Sequence, residues 1–308
     1  MKPQQLEQTL QSPDNIEKMN ITNVMLWMMK NAYEQTTIKK VAKLLRHLER
    51  NCNTSDPEAV KLYIAKKQCS NGHKQNLIEA YACVIHSLEL TWKQPFYQRY
   101  SKKRKAPNEK LVDFLINHAR IEMALKLSIS KDLGQRPKEL TWLTLKDIDL
   151  TTGNVAITGA KHTIGREGQL KTKSLELLRI EIKRKNLTAN SHIYNGTSDN
   201  LGNNYRHYRN RIANEYDMPE LKQIQLYDFR RFKASKTYHL TNNLLLVKQL
   251  LGHKHVEQTE HYISLFDEQS ITWIPVIAHN QAEIEQAIKD DCILVCQADG
   301  ITFFKKPA

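Results

Sequence analysis

A leucine-rich stretch that has to stop at a glycine does most to limit how this chain folds. Leu244, Leu245, Val247, Leu250 and Leu251 recur at the spacing of one buried helical face, and Gly252 follows where a left-handed C-cap is needed. His253 therefore stands just past a helix end. Tyr262 comes nine positions later, after a short polar segment long enough for another turn or two of helix. A histidine and a tyrosine are thus close in sequence yet carried on separate elements. A phenol is a weak nucleophile at neutral pH and attacks only where cations favour the phenolate and a proton acceptor is in reach. By itself the stretch reads more simply as a capped helix followed by a packing tyrosine, so the question is whether the rest of the chain supplies those cations.

Cations are abundant: 46 Lys and Arg stand against 33 Asp and Glu, a formal charge of +13 with a pI near 9.4. That is the electrostatic footprint of a nucleic-acid binder, with an anionic membrane surface as the competing partner. No apolar run approaches the roughly 18 residues of a spanning helix, and Met1-Lys2-Pro3-Gln4-Gln5 opens no signal-peptide core, so a cytoplasmic protein with no membrane partner is expected. Cys52, Cys69, Cys83, Cys292 and Cys296 are scattered, odd in number and without CxxC pairing. They argue against a disulfide framework and a structural zinc site, and read as small core residues or free thiols. There is no Walker-type loop, Rossmann fingerprint or HExxH helix, so no cofactor is expected.

At 308 residues and 40% hydrophobic content the chain can bury two cores. Residues 1–20 are polar and read as a flexible N-terminus. From 21 to 100 the pattern is helical: Val24, Trp27, Met28 and Ala32 mark one face, and Ile38, Val41, Leu44, Leu45 and Leu48 the next, after a Thr36-Thr37 cap signal. Asp56-Pro57-Glu58 opens a third helix, and a fourth runs from about Lys74 to Leu90. Residues 101–107 break the pattern. Lys102, Lys103, Arg104 and Lys105 are four consecutive cations with no apolar periodicity, which reads either as a solvated run or as a linker that neutralises DNA phosphates.

A second domain is expected over 108–268. One or two helices span Leu111 to Leu133, and Gly134 to Leu140 turns into another. Val155 to Thr158 has strand character, with a hairpin tip between Gly159 and Gly168. Helices near 174–185 and 203–216 flank a short strand at His192 to Tyr194. Leu226 to Lys233 then enters a further helix with Asp228 as its N-cap. A C-terminal extension, 269–308, reads as strand, helix and a hairpin around Asp299-Gly300. The fold class is mainly α with a small β-hairpin or sheet (α+β).

The order and spacing of Arg136 in Gly134-x-Arg-x-x-Glu-Leu140, Arg230 in the Tyr227–Arg230 box, and Leu251-Gly252-His253 followed by Tyr262 resemble the tyrosine recombinase family, the phage lambda integrase and Xer-type enzymes. The resemblance covers about 107–266, and the helical domain ahead of it is similar to the family's core-binding domain. The extension resembles that of archaeal members, and its apolar Ile293-Leu294-Val295 run could pack within its own domain or on a neighbouring protomer.

By this resemblance Tyr262 would attack a scissile DNA phosphate, forming a 3′-phosphotyrosyl link and releasing a 5′-hydroxyl. A phosphodiester transition state spreads negative charge over its nonbridging oxygens, which suits two guanidiniums, here Arg136 and Arg230. His253 would donate to the same phosphate or position Tyr262. The leaving oxygen would take its proton from a hairpin lysine, best matched by Lys161 with Lys171 and Lys173 as rivals. Tyr227 departs from the family pattern, which has His or Lys there. A phenol can donate a hydrogen bond to phosphate but is a poor proton shuttle at neutral pH. The expected partner is double-stranded DNA carrying a specific recombination site. The expected assembly is a homotetramer on two duplexes, monomeric or dimeric when free, needing neither metal nor ATP. A DNA-binding accessory protein of little turnover and a type IB topoisomerase are the alternatives.

Overall fold

The computed structural model describes residues 19–100, 104–160, 163–263, 273–290 and 292–307. The chain divides at residue 102 into two compact units. The described residues of the first form four helices, α1 (Ile21–Lys30), α2 (Gln35–Glu49), α3 (Pro57–Lys66) and α4 (Asn71–Ser87). Three start on the side-chain caps their sequences offer: Asn20 accepts from the Thr22 and Asn23 amides, Asp56 from Glu58 ahead of Pro57, and Ser70 from His73. The second helix starts instead at Gln35, and Thr36 bonds the Glu34 carboxylate. Met28, Ile38, Leu45, Ile64 and Leu77 meet in one core, and the Tyr81 hydroxyl donates to the Thr54 carbonyl. Met19 also belongs to that core, although composition assigned it to the flexible N-terminus.

In the second unit α5 (Glu109–Asn117), α6 (Ile121–Leu133) and α7 (Pro137–Trp142) lead into a two-stranded antiparallel hairpin, β1 (Asn154–Ile157) and β2 (Arg166–Gln169). Then come α8 (Thr172–Lys185), α9 (Ser198–Glu215), α10 (Asp228–Thr241), α11 (Leu244–Leu251) and α12 (Glu257–Ile263). The strand expected at His192 to Tyr194 is reduced to a bridge between Thr144 and His192, with the Ile193 amide on the Leu143 carbonyl at 2.9 Å. Among the described residues no second strand pairs with it. The helix that carries Arg230 has Tyr227, not Asp228, at the cap position. The Asp228 carboxylate instead accepts from the Gln225 amide at 2.8 Å and pairs with Arg231.

The apolar face of α11 is narrower than its leucine spacing implies. Val247 and Leu251 are fully buried beside Ala234 and Tyr262, whereas Leu245 is 62% and Leu246 40% exposed. The extension forms its own small layer: β3 (Trp273–Ala278), α13 (Gln281–Lys289), β4 (Ile293–Ala298) and β5 (Ile301–Pro307), with strand order β3-β5-β4, all antiparallel. Asp299 and Gly300 both take positive φ, as a two-residue hairpin turn requires. Ile293, Leu294 and Val295 remain exposed in the chain. Among the described residues no helix is long and apolar enough to cross a membrane, and all five cysteines are free.

Candidate active site

Two helix C-termini and one buried carboxylate organise the site. Helix α6 ends at Gly134 (φ +58) and α11 at Gly252 (φ +66), both left-handed, so the carbonyls of their last residues have no helical partner. Arg230, on the inner face of α10, takes both: Nη1 donates to the Gly134 carbonyl at 2.9 Å and Nη2 to the Leu251 carbonyl at 2.7 Å. The negative ends of two helix dipoles therefore hold a guanidinium that is 0% exposed. Burial, then Arg136, pull its pKa below the usual arginine value, and it stays charged because a guanidinium starts so far above neutrality.

Arg136 stands at the N-cap of α7, where Pro137 fixes the first turn. Its backbone amide donates to Glu139 Oε2 at 2.9 Å, and its Nη1 donates to Glu139 Oε1 at 3.1 Å and to Thr163 Oγ1 at 3.2 Å. Glu139 is itself buried, and Arg230 Nη1 lies 4.0 Å from its Oε2. The two arginines of the separate sequence boxes thus meet around one carboxylate. Although burial opposes it, the surrounding arginines and the Arg136 amide hold that carboxyl below the usual range.

His253 follows the Gly252 cap, buried between α10 and α12. Arg230 Nη2 lies 3.1 Å from its Nε2, and since a guanidinium only donates, Nε2 is the acceptor. Nδ1 then carries the hydrogen and donates to Thr259 Oγ1 at 2.9 Å. Burial, followed by Arg230, Arg136 and Arg166, pushes the imidazole down to about 4, so it is neutral at pH 7. In this arrangement His253 aligns Arg230. It has no free hydrogen with which to serve as the expected phosphate donor.

Tyr262, on α12, packs its ring beside His253 with centroids 5.6 Å apart, and its hydroxyl lies 2.7 Å from that of Tyr227. Ser235 of α10 donates to the Tyr262 carbonyl and fixes α12 in place. Burial and the Tyr227 hydroxyl push the Tyr262 phenol up to about 12, against the pull of Arg230. Tyr227 therefore touches the nucleophile candidate directly, which spacing alone did not reveal.

Lys161 lies outside the described residues, as do Lys102 and Lys103. The described residues on either side of Lys161 are tied to the site. The Ala160 amide donates to Glu139 Oε1 at 3.2 Å, Thr163 Oγ1 to the Ala160 carbonyl at 2.6 Å, and the Ile164 amide to the Gly252 carbonyl at 3.0 Å. Its rivals are not on the return strand. Lys171 caps α8 and Lys173 sits in its first turn, bonded to Asn117 at 2.6 Å. Arg104 is half exposed, 3.7 Å from Asp228, and Lys105 is exposed.

Sequence reasoning passed over Arg166. From β2 its Nη2 donates to Glu139 Oε2 at 2.8 Å, making it the third guanidinium on that carboxylate. A lone arginine on a four-residue strand gives no periodic signal. Only the fold-back of the hairpin brings it to Glu139. Thr259, which bonds His253 from α12, was also missed.

Residues 104–269 match the phage integrase family. Among solved structures, the Tn1549 transposon integrase in complex with circular intermediate DNA resembles the chain at a TM-score of 0.63 and 15% identity, over 87% of this chain and 99% of that one. The lambda integrase of a tetramer bound to a Holliday junction gives 0.60 at 12% identity, over 82% and 79%. XerH site-specific recombinase bound to difH substrate in a pre-cleavage complex gives 0.54 at 18%, over 82% and 96%. At these identities the likeness is one of fold. No curated protein matches the chain.

Proposed function

This chain belongs to the phage integrase family, and from that premise we propose that it is a site-specific DNA recombinase that cuts and rejoins strands through a covalent 3′-phosphotyrosine at Tyr262. The observation that carries the reading is the meeting of Arg136 and Arg230 on Glu139 with the His253–Tyr262 pair alongside. Three guanidiniums against one carboxylate leave two positive charges in a largely buried pocket, which calls for an anion such as a DNA phosphate.

In the proposed step Tyr262 Oη bonds to phosphorus, the bond to the 5′-oxygen breaks, and that oxygen takes a proton from Lys161. The phenol's own proton leaves to solvent; Tyr227 Oη, 2.7 Å away, can relay it only by giving up its own, since a neutral phenol does not hold a second proton. The phosphotyrosine keeps the energy of the phosphodiester, so another 5′-hydroxyl can reverse the step without ATP or metal. Arg136 and Arg230 stabilise the charge on the nonbridging oxygens, and His253 keeps Arg230 aligned. A homotetramer acting on two duplexes is the assembly this implies.

A nicked duplex that sheds a short strand after attack tests the reading. The full chain is expected to form a covalent adduct in the presence of EDTA, and Tyr262→Phe is expected to form none. An adduct that survives the substitution removes Tyr262 as nucleophile. The second reading, a DNA-binding accessory protein, draws on the poor proton shuttle that Tyr227 makes; specific binding with no adduct would favour it. Relaxation of plasmids lacking any site would point to a topoisomerase.

A further inference from the structure

The pocket holds one guanidinium more than a two-arginine clamp uses. The Arg166 side chain is only 5% exposed, and while its Nη2 reaches Glu139, its Nε and Nη1 have no hydrogen-bond partner among the described residues. A buried charge with unsatisfied donors is costly to hold, so a reason for its retention is needed. Glu139 Oε2 accepts from Arg166 at 2.8 Å and from the Arg136 amide at 2.9 Å, which uses both of its lone-pair directions. Arg230 Nη1 is left 4.0 Å from that oxygen, outside hydrogen-bond range, and donates to Gly134 instead.

The geometry points to Arg166 as a positioning residue for strand cleavage: it saturates Glu139, so that Arg230 stays on Gly134, Leu251 and His253 instead of closing onto the carboxylate. This rests on the reading of the pocket as a phosphate site. Without Arg166 an acceptor direction opens toward Arg230, and the surplus charge of the pocket drops from two to one. Both effects weaken transition-state stabilisation. Gly252 belongs to the same device. A Cβ there would lie 3.3 Å from Arg166 Cδ and 2.6 Å from the Ile164 carbonyl, so the glycine serves both the positive φ and the passage of the arginine stem.

The test is single-turnover cleavage of the nicked duplex at saturating DNA, with Kd measured separately. Arg166→Gln is expected to lower the cleavage rate constant about 100-fold, the scale of a displaced clamp, with Kd changed by less than about threefold. Arg166→Lys should recover about tenfold of that loss, because one ammonium still occupies Glu139. Adding Glu139→Gln to Arg166→Gln should also raise the rate, since no carboxylate remains to draw Arg230 away. A merely structural role would make the double variant slower still.

His253 supplies a readout without DNA. The charged groups facing it are Arg230 from α10, Arg136 and Glu139 from the start of α7, and Arg166 from β2. Its NMR titration in the free protein should move upward in Arg166→Gln. The proposal is overturned by an Arg166→Gln rate within about threefold of the parent, by a double variant no faster than the single one, or by an unchanged His253 titration. A parent chain that forms no adduct at all overturns the recombinase reading itself, which keeps the two failures apart.

Discussion

A buried imidazole that also faces three guanidiniums does not keep a proton at neutral pH, and His253 is such a group. Its folded-state value, about 4, lies below the ~6.5 of an unfolded histidine. As pH falls, the unfolded chain takes up the proton first. The stability linked to His253 is therefore complete above about pH 6.5, is lost progressively down to about pH 4, and is constant below that; its size is about 3 kcal/mol. Urea midpoints followed from pH 7 to 4.5 are expected to fall more steeply for the parent than for His253→Gln. Parallel curves would contradict the depressed imidazole. At this same scale Tyr227 gained a contact that its place in a box did not forecast, because a box gives order along the chain and not which hydroxyls meet.

Helix ends, more than helix faces, build the site. Glycines at 134 and 252 were legible as caps, and their left-handed backbone aims the free carbonyls of α6 and α11 at Arg230. The face of α11 was overread: spacing counted Leu245 as core, but the short helix buries only Val247 and Leu251 fully. Leu245→Ser is therefore expected to change stability by no more than about 0.5 kcal/mol, whereas Leu251→Ala should cost about 2–5 kcal/mol in urea unfolding. Equal losses would restore the wider face. The hairpin was visible as a pair of short strands around glycines, but its use as a carrier of Arg166 to Glu139 was not.

For the whole molecule, a charge of +13 and two units with separate cores describe a chain suited to a polyanion. The cationic run between the units ends in an exposed Lys105. If Lys105 neutralises a DNA phosphate, Lys105→Ala should reduce the slope of log affinity against log salt by about 0.9, uniformly across sequences. An unchanged slope would mean that the residue is merely solvated. Ile293, Leu294 and Val295 stay exposed within the chain, so the first of their two sequence readings, burial in their own domain, is corrected.

Sequence alone determined the helix-rich class, most element positions, the glycine caps, and the order of Arg136, Arg230, His253 and Tyr262. These follow from periodicity, backbone sterics and motif spacing, which act over a few residues. Tertiary structure alone decided that Glu139 gathers three arginines, that His253 accepts from Arg230, and that Tyr227 touches Tyr262. Apart from the local Arg136–Glu139 pair, such contacts join residues tens of positions apart, and burial sets their protonation and hydrogen-bond direction, which no local pattern in a chain encodes.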